Sequence, residues 1–332
     1  MCYIRTLALG VMALLSTASF GQTANTVFGS SYSLPAALAA APGQILNLQV
    51  AGVGANLTVR VAATSLPLPN MLAGITVQMT QSFSPQSVPV SILAVRPVST
   101  CLGVPLGSAP CGHYAVVTVQ IPYELVAECP LCAAAVSNVA QLVVSENGVP
   151  GGVVTLTPNF DQVHVTNACD LDTAATLPCG PAPLITHPDG SLVTTQSPAH
   201  VGEEIVIYAL GLGRTTPMAQ TGQASPLPAA VTQNIRGVIY NYGINLPPSQ
   251  GVPAPFATCA IGTGCPEPPA FSGLTPGAAG LYQVNFVIPP SPNIFPCGAG
   301  VVSNLTLSIV GSSSYDGAGI CVEPPAVAGT GQ

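Results

Sequence analysis

The sequence predicts an all-β protein built as two similar sandwich domains in tandem, and three observations carry that expectation. Short runs alternate apolar with polar residues, as in Ile75-Thr-Val-Gln-Met79 and Val117-Thr-Val-Gln-Ile121. A period of two turns one face of a strand toward a core and the other toward water. The 34 Gly and 35 Pro keep cutting the apolar runs short, as turns between strands require. One stretch also occurs twice: Gly43-Gln-Ile-Leu-Asn-Leu-Gln-Val-Ala-Gly-Val-Gly54 lines up with Gly202-Glu-Glu-Ile-Val-Ile-Tyr-Ala-Leu-Gly-Leu-Gly213.

Residues 1–21 read as a secretion signal. Arg5 supplies the positive region, Leu7 to Leu15 the apolar core, and Ser19-Phe-Gly21 the small residues before a cleavage at Gln22. The 332 residues leave room for two domains, each able to bury its own core. The first is expected over residues 22–157. Its strands are expected at Ile45–Val50, Leu57–Ala62, Ile75–Thr80, Val88–Val95, Tyr114–Ile121, Ala140–Ser145 and Val153–Leu156. The second is expected over 158–323, followed by a disordered tail at 324–332. Its strands are Gln162–Thr166, Leu192–Thr195, Ile205–Leu210, Val238–Tyr242, Tyr282–Ile288 and Leu305–Val310. Strands of this number and spacing point to immunoglobulin-like (Ig-like) sandwiches.

The repeat extends beyond its first match. Tyr282-Gln-Val-Asn-Phe-Val-Ile-Pro289 corresponds, with a one-residue gap, to Tyr114-Ala-Val-Val-Thr-Val-Gln-Ile-Pro122. Gly237-Val-Ile-Tyr-Asn241 corresponds to Gly74-Ile-Thr-Val-Gln78, and Val302-Ser-Asn304 to Val136-Ser-Asn138.

Charged residues are only 5% of the chain, and the basic ones are Arg5, Arg60, Arg96, Arg214 and Arg236. Loss of Arg5 with the signal takes the formal net charge from −7 to −8, which leaves no basic footprint for nucleic acid. Past the signal, no apolar run approaches the roughly 20 residues of a spanning helix. The outward strand positions carry Thr, Gln, Asn and Ser, a polar but nearly uncharged sheet face.

Eleven cysteines are present, of which Cys2 lies in the signal. The other ten fall as sequence neighbours: Cys101 with Cys111, Cys129 with Cys132, Cys169 with Cys179, Cys259 with Cys265, and Cys297 with Cys321. Five disulfides between these neighbours are expected in an oxidising compartment, although the count alone admits many other pairings. Cys129-Pro-Leu-Cys132 has the spacing of half a zinc site but lacks a second pair of ligands.

The sequence offers no catalytic residue, no cofactor motif and no metal site. There is no Gly-x-Ser-x-Gly elbow. His113, His164, His187 and His200 are each expected as solvated surface residues, His164 facing away from Val163 and Val165. Glu124, Glu128, Glu203 and Glu204 are scattered, although paired carboxylates brought together in space would serve a glycosidase. Asp170 and Asp172 would offer Ca²⁺ two of the six to eight oxygens, roughly, that it needs. Tyr240, Tyr242 and Tyr282 are the aromatics available to stack on a glycan.

The second half resembles the Solibacter-type C-terminal domain family of secreted Acidobacteria proteins. Thr186-His-Pro-Asp-Gly-Ser-Leu-Val-Thr194, the Gly202–Gly213 run, Phe271-Ser-Gly-Leu-Thr-Pro-Gly277 and Gly280-Leu-Tyr-Gln-Val-Asn-Phe-Val-Ile-Pro289 carry the resemblance, over about residues 158–322. It implies a secreted Ig-like sandwich, with a diverged copy in the first half, and brings no catalytic residues. Two pieces of those motifs are turns: Pro188-Asp189-Gly190 and Thr275-Pro-Gly277 supply the φ values that tight turns need.

The expected function is therefore that of a secreted, non-catalytic binding, adhesion or cell-surface assembly module. Its partner would be a protein or glycan at the cell surface, with self-association favoured by the uncharged faces. A secreted hydrolase and a carbohydrate-binding module are the alternatives.

Overall fold

The alternating runs pair with one another in space. The computed structural model describes residues 26–30, 38–82, 84–99, 113–127, 139–167, 170, 183–225, 230–231, 235–239, 268–288, 305–309 and 315–323. All the elements described here are strands. In the first half they are β1 (Thr26–Ser30), β2 (Leu38–Ala40), β3 (Ile45–Ala51), β4 (Val61–Ala62) and β5 (Met71–Leu72). They continue with β6 (Ile75–Gln81), β7 (Ser84–Ser99), β8 (His113–Gln120), β9 (Ala140–Glu146) and β10 (Val149–Pro158).

β7 makes the sandwich. Its first part pairs with β6 and its second with β8, so one long strand runs through both layers. A register shift between Ile92 and Ala94 marks a bulge near the crossing, where a strand bends most readily. One layer is then β1-β3-β8-β7 with β4 beside β7; the other is β7-β6-β9-β10-β2 with β5 beside β6. Leu46, Leu48, Val117 and Val119 of the first layer meet Ile75, Val77, Met79, Leu142 and Val144 of the second in one core. Each such side chain, fully buried, contributes about 1.5–3 kcal/mol.

The second half runs β11 (His164–Val165), β12 (Ile185–Thr186), β13 (Ala199–His200), β14 (Glu204–Leu210), β15 (Thr215–Thr216) and β16 (Ala230–Val231). It ends with β17 (Ile235–Ile239), β18 (Phe271–Leu274), β19 (Tyr282–Val287), β20 (Leu305–Ile309), β21 (Tyr315–Ala318) and β22 (Val322–Glu323). One sheet has the order β11-β14-β19-β18-β16-β15, with β12 on β14; a second is β17-β20-β21, and β13 pairs with β22. A separate core gathers Ile205, Ile207, Val284 and Phe286 with Leu305, Leu307, Ile320 and Val322.

The two halves share one local design. β3 pairs with β8 so that Ile45 faces Gln120, and β14 pairs with β19 so that Glu204 faces Val287. Gly43, Gly52 and Gly54 have φ of 76°, 78° and 72°; their counterparts Gly202, Gly211 and Gly213 have 83°, 72° and 83°. The amide of Gly43 donates to Ile121 O at 3.0 Å, and that of Gly202 to Ile288 O at 2.8 Å. Gln44 accepts the Ala41 amide on its side-chain oxygen at 2.8 Å, as Glu203 accepts that of His200 at 2.8 Å. β2 joins β10 in parallel, as β13 joins β22. The strand registers equate Ala115 with Tyr282 directly. The one-residue gap that set Tyr114 against Tyr282 is thereby removed.

Three other expectations are corrected. The outer face of β3 and β8 is covered: Asn47 and Thr118 are buried, the Thr118 hydroxyl donating to Asn47 Oδ1 at 2.6 Å, and Gln120 is fully buried. Of Leu57–Ala62, only Val61 and Ala62 form a strand, because the chain first turns with the Leu57 amide on Gly54 O. Leu192–Thr195 makes a single bridge at Leu192, since Thr194 caps a turn instead.

Residues 136–138, 302–304 and 240–242 lie outside the described residues, as do the signal and tail segments. Most of the expected disulfides fall there too. Cys101, Cys111, Cys129 and Cys132 of the first half lie outside the described residues, as do Cys169, Cys179, Cys259, Cys265 and Cys297 of the second. Cys321, which is described, is disulfide-bonded. Among the described residues, no helix is long and apolar enough to cross a membrane.

Candidate functional site

The first feature is a seam between the two sandwiches, where the end of β8 and the following turn meet the 211–225 segment. The Gly222 amide donates to Gln120 Oε1 at 2.7 Å, and the Leu68 amide donates to Gly222 O at 2.7 Å. Thr221 Oγ1 accepts the Tyr123 amide at 2.9 Å and donates to Glu124 Oε2 at 2.8 Å. Arg214 donates to Leu125 O at 3.0 Å. These bonds join segments between 89 and 154 residues apart in sequence, so they fix one sandwich against the other.

Glycines let the backbones meet there. A Cβ on Gly280 would lie 2.8 Å from Gly43 O and 2.8 Å from Gln120 Nε2, and one on Gly222 would lie 2.7 Å from Ser91 Oγ. Beside them two tyrosines are buried. The Tyr282 hydroxyl donates to Gly213 O, and Tyr123 lies against Tyr282. Burial pushes the Tyr123 phenol up to about 12, with contact from Tyr282 opposing that rise, and pushes Tyr282 well above its ordinary range. Tyr282 is therefore no stacking platform: it is completely buried. Its position inside a strand ending in Ile-Pro gives no hint of a neighbouring domain. The glycines are legible as turn formers, while their role as contact points is not.

The second feature is a Ser–His–Glu arrangement. His187 Nδ1 lies 2.5 Å from Glu203 Oε1, and its Nε2 lies 3.2 Å from Ser197 Oγ. Such a chain of contacts is the relation of nucleophile, base and orienting acid. Its other bonds argue for a clasp instead. His187 Nε2 also lies 3.1 Å from Ser197 O, a contact that needs a proton on that nitrogen. The Glu203 hydrogen bond raises the His187 pKa, against a smaller opposing effect of burial. The Ser197 amide, the usual oxyanion donor, is bonded to Thr194 Oγ1 at 3.0 Å, and residue 198 is Pro, without an N–H.

The third feature corrects the expectation for His164 most sharply. It does face away from Val163 and Val165, but toward two carboxylates. Nε2 lies 2.7 Å from Asp170 Oδ2 and Nδ1 2.8 Å from Asp316 Oδ2. Burial is the largest single influence and opposes the charge. Hydrogen bonds and Coulomb attraction from Asp170 and Asp316 together outweigh it and raise the His164 pKa to about 9. Asp170 Oδ2 also accepts the Asn167 amide at 2.9 Å, so it is bound up in this cluster, while Asp172 lies outside the described residues.

The remaining candidates stay apart. His113 opens β8, and the His200 side chain is exposed. Glu204 accepts from Asn285 Nδ2 at 2.8 Å, and Glu128 lies outside the described residues. Among the described residues, no group of three or more His, Cys, Asp or Glu is arranged to hold a metal ion.

No family model and no curated protein matches the chain. Among solved structures, the crystal structure of Dpr2 Ig1-Ig2 in complex with DIP-Theta Ig1-Ig3 is similar at 9% identity, covering 89% of this chain and 98% of that one. The TM-score is 0.20, too low for the superposition to support an argument.

Proposed function

We propose that this is a secreted, non-catalytic protein of binding, adhesion or cell-surface assembly, with two sandwich copies acting as one rigid unit. The seam carries the reading. Two domains held at a fixed spacing can present two contact surfaces to one partner, and the second contact then forms at high effective concentration. The partner belongs to the cell surface and is a protein or a glycan. Disulfides between the neighbouring cysteines, formed after export, belong to the same reading.

A hydrolase is the second reading, and the Ser197–His187–Glu203 geometry is what favours it. The occupied Ser197 amide and the contact of His187 Nε2 with Ser197 O weigh against it. Cross-linked capture from native envelopes, with the mature chain as bait, separates the two. The binding reading expects one envelope component to be retained by wild type and by Ser197→Ala, and lost when Gly280→Ala loosens the seam. Turnover of an ester or amide by wild type, abolished in Ser197→Ala, would establish the hydrolase instead.

A further inference from the structure

The segment Tyr315–Glu323 crosses the second sandwich as a strap held by the Cys321 disulfide and by three non-covalent fastenings. β21 pairs with β20, and its Asp316 reaches the other sheet, where Oδ2 contacts His164 Nδ1 at 2.8 Å and accepts the Val165 amide at 2.9 Å. β22 then lies parallel to β13, with the Ala199 amide on Cys321 O at 2.9 Å. β13 in turn is gripped from both sides by His187, which touches Ser197 O before it and Glu203 after it. Glu203 holds the turn between them through the His200 amide. Both ion-paired histidines of the described residues thus secure one segment, directly or through the strand that receives it.

The first sandwich provides an internal control. There β10 lies parallel to β2 through Leu156–Pro158, and the adjacent turn is held by Gln44, uncharged where the second copy has Glu203. Two pairings of the same design therefore differ in their electrostatics. One is held by two histidines paired with acids, whereas Gln44, which holds the turn of the other, does not titrate.

We propose that the strap Tyr315–Glu323 is fastened by the imidazolium forms of His164 and His187 and, still tethered by the Cys321 disulfide, loosens locally as the medium becomes alkaline. The matching pairing of the first sandwich holds under the same conditions. Among the described residues, the charged groups facing His164 are Asp170, from the turn after β11, and Asp316, from β21. Those facing His187 are Glu203, from the turn before β14, and Asp189, from its own turn. All four are acids, so loss of the imidazole proton removes each attraction, and at Asp170 it leaves a buried carboxylate without its cation. Loosening of β21 weakens cover on the edge of β20, whose five residues are all buried.

Hydrogen exchange read by mass spectrometry on the full chain tests this between pH 7 and pH 10, after correction for intrinsic exchange. Protection over residues 315–323 should fall about tenfold or more, equivalent to about 1.4 kcal/mol. Protection over 153–158 should change less than about twofold, well under that energy. In the double variant His164→Gln, His187→Gln, the fall over 315–323 should disappear. The proposal is overturned if both segments lose protection together, or if the double variant keeps the full response.

Discussion

Gly280→Ala should uncouple the two sandwiches, and differential scanning calorimetry should show it as one unfolding transition splitting into two. Gly280 has φ +69°, where an L side chain is strained by about 1–3 kcal/mol. Its new Cβ would also sit 2.8 Å from Gly43 O, a backbone atom that cannot rotate away. Relieving that overlap means parting the two bodies, which breaks the bonds made by Gly222 and Thr221. The loss should total about 2–4 kcal/mol, the range of strain combined with overpacking. Gly277→Ala is the matched control: φ is +76°, but a Cβ there meets nothing within 4 Å. It should cost only the backbone strain and leave a single transition. Two transitions in both variants, or one in both, would separate the seam from the effect.

His164→Ala should cost about 3 kcal/mol at neutral pH, because it leaves Asp170 and Asp316 close together without their shared cation. Wild type should show the same interaction in its pH dependence. A pKa raised from 6.5 to about 9 in the folded state corresponds to about 3 kcal/mol of stability. Because the folded value is the higher, that contribution is complete below about pH 6.5 and declines above it as the unfolded chain gives up its proton first. It is gone once the pH has passed about 9. Urea unfolding at pH 6.5 and pH 9.5 measures the difference. The wild-type chain should lose more stability across that interval than His164→Ala, which keeps only the contribution of His187. Equal slopes for the two proteins would remove His164 from the account.

Much of the fold was legible because strand signals are local. The alternation in Ile75–Met79 and Val117–Ile121 and the recurring glycines of Gly43–Gly54 and Gly202–Gly213 all mark real strands and turns. The seam was not legible, since its contacts join Gln120 to Gly222 and Gly43 to Gly280, and no periodicity records a partner so far along the chain. The same distance hid the histidines. Alternation gave the direction in which His164 points, but only the arrival of Asp316 on β21, about 150 residues later, turns that direction into an ion pair. Burial of Asn47 and Thr118 escaped notice for a related reason: polar alternation marks an outer face, and says nothing of what covers it.

The whole account depends on two copies of one sandwich tumbling as a single body. Backbone ¹⁵N relaxation on the intact chain measures this directly. A shared rotational correlation time for strands of both halves, such as β6 and β19, set by the mass of the two sandwiches together, is the expected result. Separate, shorter times for the two halves, each close to that of a free domain, would contradict it.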